Sequence, residues 1–110
     1  MKRQTARILV IDDEVDMLNG CSKIIQALGY IPVIAGNGAL AIDRLRQEEF
    51  DLILCDLFMP EMDGMEVLKK AKKLAPFVPV VIFTAYGTIG RAVEAMKLGA
   101  FDFIEKPFEI

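Results

Sequence analysis

The chain contains no histidine and only two cysteines, and these shortages remove whole classes of chemistry. Without imidazole there is no Ser/His or Cys/His nucleophile pair, few ways to build a zinc site, and no phosphohistidine carrier. Cys21 and Cys55 lie in apolar surroundings without CxxC spacing, which fits two reduced, buried thiols packed as small hydrophobes. Positive charge is short as well. With 13 Lys and Arg against 16 Asp and Glu, the net charge is −3, which leaves no basic surface for a phosphate backbone and argues against direct nucleic-acid binding. No apolar run reaches the roughly 20 residues that a bilayer span needs. The N-terminal stretch MKRQTARILVIDDEVD meets acids before an export-type apolar segment develops. A cytoplasmic location follows as the expectation.

What is present is a chain of 110 residues, 54% of them hydrophobic, suited to one compact domain over residues 1–110. Five short β-branched or aliphatic runs read as strands: RILVI (7–11), IPVIA (31–35), DLILC (51–55), PVVIF (79–83) and FDFIE (101–105). The first, third and fourth are nearly continuous in apolar residues, as strands covered on both faces tend to be. Four helical periods lie between them. Residues 15–28 repeat through Met17, Leu18, Cys21, Ile24, Ile25 and Leu28, with Gly29 as the stop; residues 38–48 repeat through Ala41, Ile42 and Leu45. Residues 64–75 repeat through Val67, Leu68, Ala71, Leu74 and Ala75 before Pro76, and residues 88–98 through Ile89, Ala92, Val93 and Met96, with Gly99 as C-cap. Lys69, Lys70, Lys72 and Lys73 read as a solvated face. GNG at 36–38 is too short for a dinucleotide loop and reads as the turn into the second helix. Strict strand–helix alternation forces a parallel sheet with helices on both faces, a doubly wound α/β fold.

In such a sheet the residues at the carboxyl ends of the strands gather along one edge, where ligands bind. Strand one delivers Asp12, Asp13 and Glu14 there, strand three Asp56, strand four Thr84 and Ala85, and strand five Lys106 and Pro107. Clustered carboxylates repel one another unless a cation intervenes. An all-oxygen set suits a hard ion, and Mg²⁺, which keeps several waters, fits better than Zn²⁺. Lys106 adds a permanent positive charge. A carboxylate is already ionised at neutral pH, so Asp56 can attack phosphorus without an activating base, while Lys106 and the Thr84 hydroxyl take phosphoryl oxygens. Each residue also has a plainer role. Asp56 can start a turn, Thr84 can begin the next one, Lys106 can be a surface lysine, and Asp12 and Asp13 can serve the start of helix one. Four strands each ending in a group useful for phosphoryl chemistry favour the common explanation.

The segments ILVIDDE, DLILCDLFMPEMDG, VVIFTAYG and GAFDFIEKPF, in this order and at this spacing, make the chain resemble the receiver domain of two-component response regulators. The segment TAYGTIGRAVEAMKLGAFDFIEKPF is most similar to receivers of sigma-54-dependent transcription activators. The resemblance implies a five-stranded sheet in the flavodoxin-like order 2-1-3-4-5. It implies Asp56 as phospho-acceptor, Asp13 and Asp56 as direct Mg²⁺ ligands with the Phe58 carbonyl, and Asp12 holding the metal's water shell. Lys106 would contact the phosphoryl group, Thr84 and Phe103 would form the switch, and the Lys106-Pro107 bond would be cis. Phe103's plainer role is core packing. The phosphoryl donor would be a sensor histidine kinase, and the output a shifted equilibrium of the helix-four and strand-five face that controls transcription. The domain would be a signalling module and not an enzyme acting on a separate substrate.

Phe58 and Tyr86 lie two residues beyond Asp56 and Thr84 and are expected to overhang the site and obstruct hydrolytic water. Arg91, Glu94 and Lys97 fit a partner surface and a solvated helix face equally well. Family members continue after KPF into a fifth helix, whereas this chain reaches only Glu109-Ile110. The sheet face shared with helix one is therefore expected to be under-covered and to invite a homodimer or partner contact, or to mark a piece of a longer protein with an output domain beyond Ile110. Two competing functions remain: a phosphatase-type hydrolase, for which neither a second placed acid nor a cap is evident, and a pseudo-receiver interaction module, whose usual sign is loss of an acid or the lysine.

Overall fold

A computed structural model describes residues 5–85 and 88–105. Strands β1 (Arg7–Ile11), β2 (Ile31–Ala35), β3 (Leu52–Asp56), β4 (Val80–Thr84) and β5 (Asp102–Glu105) alternate with helices α1 (Val15–Ala27), α2 (Gly38–Gln47), α3 (Gly64–Leu74) and α4 (Ile89–Lys97). All strand pairs are parallel, and the order is β2-β1-β3-β4-β5. The doubly wound fold and its strand order match the sequence expectation.

The third, fourth and fifth strands each begin one residue later than their apolar runs, and in the third the first residue of the run has a use of its own. The Asp51 side chain accepts from the Arg7 amide at 2.8 Å and its own amide donates to the Arg7 carbonyl at 2.8 Å, so it clamps β1 before the β1–β3 register starts at Ile8↔Leu52. The shift makes Asp56 and Thr84 the last residues of β3 and β4, still inside the ladder and not beyond it.

Helix starts are set by short polar caps. Asn37 accepts from Leu40 N at 2.8 Å, Asp63 from Glu66 N at 3.0 Å and Thr88 from Arg91 N at 3.2 Å, each contributing about 0.5–2 kcal/mol. GNG does make the turn into α2, with Asn37 as its cap. The positive φ of Gly29 (90°) and Gly99 (101°) reverses the chain after α1 and α4.

Two cores result. On one face Leu9, Ile11, Ile53, Cys55, Val80 and Ile82 are fully enclosed by α2, α3 and α4. On the other, Leu18, Cys21 and Ile25 of α1 pack over Ile8, Val10 and Phe83. Among the described residues α1 is the one helix on that second face, and Leu52, Leu54 and Ile104 keep contact with solvent there.

Several side chains depart from the pattern. Leu28 at the end of α1 is exposed. In α4 the buried residue is Ala95, while Ile89 is 87% exposed and Val93 and Met96 are about half exposed. The helix is thus turned roughly a quarter-turn from the stripe its large apolar residues define, so that the small Ala95 is the residue enclosed in the larger core. Lys72 is not simply solvated: its stem lies against Gly99, and Nζ donates to the Pro76 carbonyl at 3.1 Å.

Candidate functional site

The carboxyl ends of β1 and β3 lie side by side, and they bring Asp12, Asp13 and Asp56 together. One carboxylate oxygen from each falls within 4.8 Å of the others. Burial grades the three. Asp12 is fully enclosed, Asp56 is 5% exposed and Asp13 faces solvent. Asp12 is turned inward by local bonds: its amide donates to the Ala35 carbonyl at 3.2 Å, and its Oδ1 accepts from the Glu14 amide at 2.9 Å. That bond carries the turn from β1 into α1, where Glu14, the N-cap, makes no side-chain cap of its own. The plainer role that the sequence allowed for Asp12, serving the start of helix one, is therefore met by this bond and coexists with membership of the cluster.

Asp56 is placed by its ladder partner Phe83 on β4 and by the segment that follows. Leu57 N donates to the Phe83 carbonyl at 3.2 Å, and Gly64 N donates back to the Leu57 carbonyl at 2.7 Å, closing residues 57–64 into a loop pinned at both ends. Gly64 has to be glycine sterically: a Cβ there would stand 2.3 Å from the Asp56 carbonyl oxygen and 2.8 Å from Leu57 Cα. Next to Asp56 the Cys55 thiol is fully buried, and this burial, reinforced by the charges of Asp56, Asp12 and Asp63, pushes its pKa well up. It is an inert thiol, in accord with the sequence reading; both cysteines are free and buried.

Thr84, 1% exposed, ends β4 beside Asp56. Phe58, two residues past Asp56, is 43% exposed, and its ring lies under the Arg91 guanidinium, whose carbon is 5.7 Å from the ring centroid. Phe103 stands apart from the carboxylates: it pairs with Ile82 two residues short of the end of β5 and packs half-buried against the larger core, in keeping with its plainer role. Lys106 and its bond to Pro107, Tyr86, and residues Glu109-Ile110 lie outside the described residues.

The sequence left Arg91 and Glu94 undecided between a partner surface and a solvated face. Arg91 is in fact paired with Glu94 at 2.9 Å and reaches across to Phe58. The signal that would have found it is topological: helices start at the same sheet edge where strands end, so the first turn of α4 adjoins the loop after β3.

The donor set fits a hard divalent ion: three carboxylates with oxygens in reach of a common point and no nitrogen or sulfur ligand among them. A groove of about 350 Å³ between the carboxyl ends of α2 and α3, lined by Leu45, Phe50, Leu74 and Phe77, opens at the opposite edge of the sheet and contributes nothing to this cluster.

Comparison with known proteins places this geometry. The family model for the response regulator receiver domain matches residues 8–110. The transcriptional regulatory protein ZraR of Klebsiella oxytoca is 41% identical over 109 residues, which is 99% of this chain and 25% of the relative; the chain thus spans about a quarter of the length of the curated relatives it matches. A response regulator of Burkholderia pseudomallei, solved with a phosphorylated aspartic acid, calcium ion and citrate, superposes with a TM-score of 0.91 at 28% identity, covering 94% of this chain and 61% of that one. The beryllofluoride-activated NtrC4 receiver domain dimer superposes with a TM-score of 0.89 at 35% identity, covering 94% and 85%. The chain belongs to the receiver domain family of response regulators, and its relatives include sigma-54-dependent transcription activators.

Proposed function

We propose that this chain is a phosphorylation-operated switch that accepts a phosphoryl group from a sensor histidine kinase on Asp56 in a Mg²⁺-dependent reaction. The observation that carries the reading is the meeting of Asp12, Asp13 and Asp56 within 4.8 Å at the carboxyl edge of the sheet. The solved relative that holds both a phosphorylated aspartic acid and a divalent ion lends it support.

A carboxylate oxygen of Asp56 attacks phosphorus in line. The P–N bond of the phosphohistidine breaks, its electron pair leaves on the imidazole nitrogen, which takes a proton from solvent, and an acyl phosphate remains. Asp56 is buried at a strand end with its backbone locked on both sides, so little ordering is left to do when the donor arrives. Asp13, Asp56 and the Phe58 carbonyl would hold Mg²⁺, with Asp12 on its water shell, and the ion would supply positive charge beside these acids and the phosphoryl oxygens. The Thr84 hydroxyl takes a phosphoryl oxygen from the neighbouring strand, and Lys106 another. Phe103 moves further inward as Thr84 shifts, and α4 follows. The exposed Ile89, Val93 and Met96 then form part of an apolar surface whose availability the switch controls, toward a transcriptional output.

The module is a cytoplasmic signalling domain, acting only on its own acceptor, within one receiver unit over residues 1–110. Among the described residues no helix is long and apolar enough to cross a membrane. The less covered sheet face beside α1 takes a second copy or a further segment.

Incubation with acetyl phosphate or beryllofluoride plus Mg²⁺ tests the proposal. One phosphoryl group by mass in the wild type and none in Asp56→Asn is the expected result. Turnover of an added phosphomonoester would instead mark a hydrolase, and indifference to both reagents a pseudo-receiver.

A further inference from the structure

We infer that Arg91 is a positioning residue for the phosphoryl group on Asp56, acting through the ring of Phe58. The inference rests on the phospho-acceptor reading above and adds to it a named control of how long the group survives.

The loop after β3 is pinned through Leu57 at one end and Gly64 at the other. Leu57 and Met59 on either side are buried at 0% and 8% exposure, whereas Phe58 is 43% exposed, so the chain turns this one ring outward over the edge of the sheet. An aromatic ring on a surface loop ordinarily samples several rotamers. Here it is met from across the site. β4, ending in Thr84, lies between β3 and β5, and α4 is the helix that follows β4. A contact from the loop after β3 to the first turn of α4 therefore joins the segments that directly follow Asp56 at the end of β3 and Thr84 at the end of β4. The Arg91 guanidinium supplies that contact at 5.7 Å from the ring centroid.

The cation itself is oriented from behind. Arg91 Nη1 donates to Glu94 Oε1 at 2.9 Å, and the Arg91 amide is fixed by the Thr88 hydroxyl at 3.2 Å. A chain of contacts thus runs Glu94, Arg91, Phe58, ending two residues from the acceptor. It holds the ring as a strap across the mouth, on the path water takes to the acyl phosphate. A partially exposed cation–π contact shifts the ring's orientation equilibrium by about two- to fivefold. That is too little to decide whether Asp56 is phosphorylated and enough to change the lifetime of the product. The strap also gives α4 a direct hold on the site: a protein that draws Arg91 or Glu94 into its own contacts competes with the ring and hastens loss of the phosphoryl group.

The test measures the decay of phosphorylated protein after acetyl phosphate is removed, in the wild type, Arg91→Met, Arg91→Lys, Phe58→Leu and the Arg91→Met/Phe58→Leu double variant, with thermal unfolding showing that each is folded. Arg91→Met is expected to shorten the lifetime about two- to fivefold, Arg91→Lys to restore part of it, and Arg91→Met to have no further effect once Phe58 is leucine. An unchanged lifetime in Arg91→Met overturns the role, and so does an equal effect in both backgrounds, which would mean that the charge acts at a distance and not through the ring. These two results leave normal phosphorylation in place and sink the strap alone. A wild type that never takes the group sinks the phospho-acceptor reading first and the strap with it.

Discussion

Two glycines in this chain call for opposite responses to the same substitution. At Gly64 an added methyl would stand 2.3 Å from the Asp56 carbonyl oxygen and 2.8 Å from Leu57 Cα. Both neighbours are backbone, so no rotamer change relieves the clash, and a carbon–oxygen contact of ordinary length requires the loop to open by about 1 Å. The φ of Gly64 is not positive, so the penalty is purely steric. Overpacking of this kind costs about 1–3 kcal/mol, or about 5–20 °C in Tm for a domain of this size. At Gly20, inside α1 and exposed, a Cβ meets nothing within 4 Å. Alanine there removes unfolded-chain entropy and improves helix propensity, a gain of about 0.4–1 kcal/mol. Thermal and urea unfolding of Gly64→Ala and Gly20→Ala should therefore move in opposite directions. Gly64→Ala should also weaken any Mg²⁺-dependent stabilisation, because the displaced carbonyl belongs to Asp56 itself. A neutral Gly64→Ala would refute the claim that close backbone approach sets the position of Asp56, and a destabilised Gly20→Ala would refute the steric accounting as a whole.

Asp13→Asn removes one of three mutually repelling carboxylates; without divalent ions its Tm should equal or exceed that of the wild type. Mg²⁺ at a hundredfold excess over its Kd should stabilise the wild type by about 2.7 kcal/mol and the variant little, and an equal shift in both would remove Asp13 from the ligand set. The Arg44 guanidinium at 2.9 Å, with Arg7 beside it, holds Glu48 below the usual carboxylate range. Since a lowered pKa in the folded state stabilises above the unfolded value and is lost as pH falls through the folded one, Glu48→Gln should be less stable than the wild type near pH 7. The gap in urea midpoints should narrow as pH falls below the free carboxylate value and close once pH is under the lower folded-state one, and a gap unchanged across that range would contradict this assignment. The turned face of α4 predicts that Met96→Lys is tolerated within about 0.5 kcal/mol while Ala95→Leu costs about 1–3 kcal/mol; the reverse ranking in chemical denaturation would restore the face read from apolar periodicity.

The parallel sheet was legible in the chain because strand–helix alternation makes the strands end at one edge, whatever their side chains do in detail, whereas the order that sets β1 beside β3, and so joins Asp12 and Asp13 to Asp56, came from the family resemblance. Element boundaries slipped where a residue had two uses. Asp51 reads as strand by its apolar neighbours, yet its carboxylate and amide both engage Arg7, and hydrogen bonding outside the ladder won. The face of α4 was hidden for a different reason. Hydrophobic periodicity weights residues by size, and Ile89, Val93 and Met96 outweigh Ala92 and Ala95, but close packing on a short edge strand selects small residues, so Ala95 is the one enclosed. The large residues are then left on the surface at a cost in apolar exposure that core formation alone does not explain. The same rotation carries Arg91 toward Phe58 while keeping Glu94 within 2.9 Å of it. One choice of helix orientation thus exposes an apolar stripe and, at the helix's first turn, ties that stripe to the loop beside Asp56. A helix turned to bury Val93 and Met96 would pack its core better and would move Arg91 away from the ring. The alanines of α4 therefore do more than fill space: they set the orientation in which the helix leaves its large apolar residues on the surface and touches the loop beside Asp56.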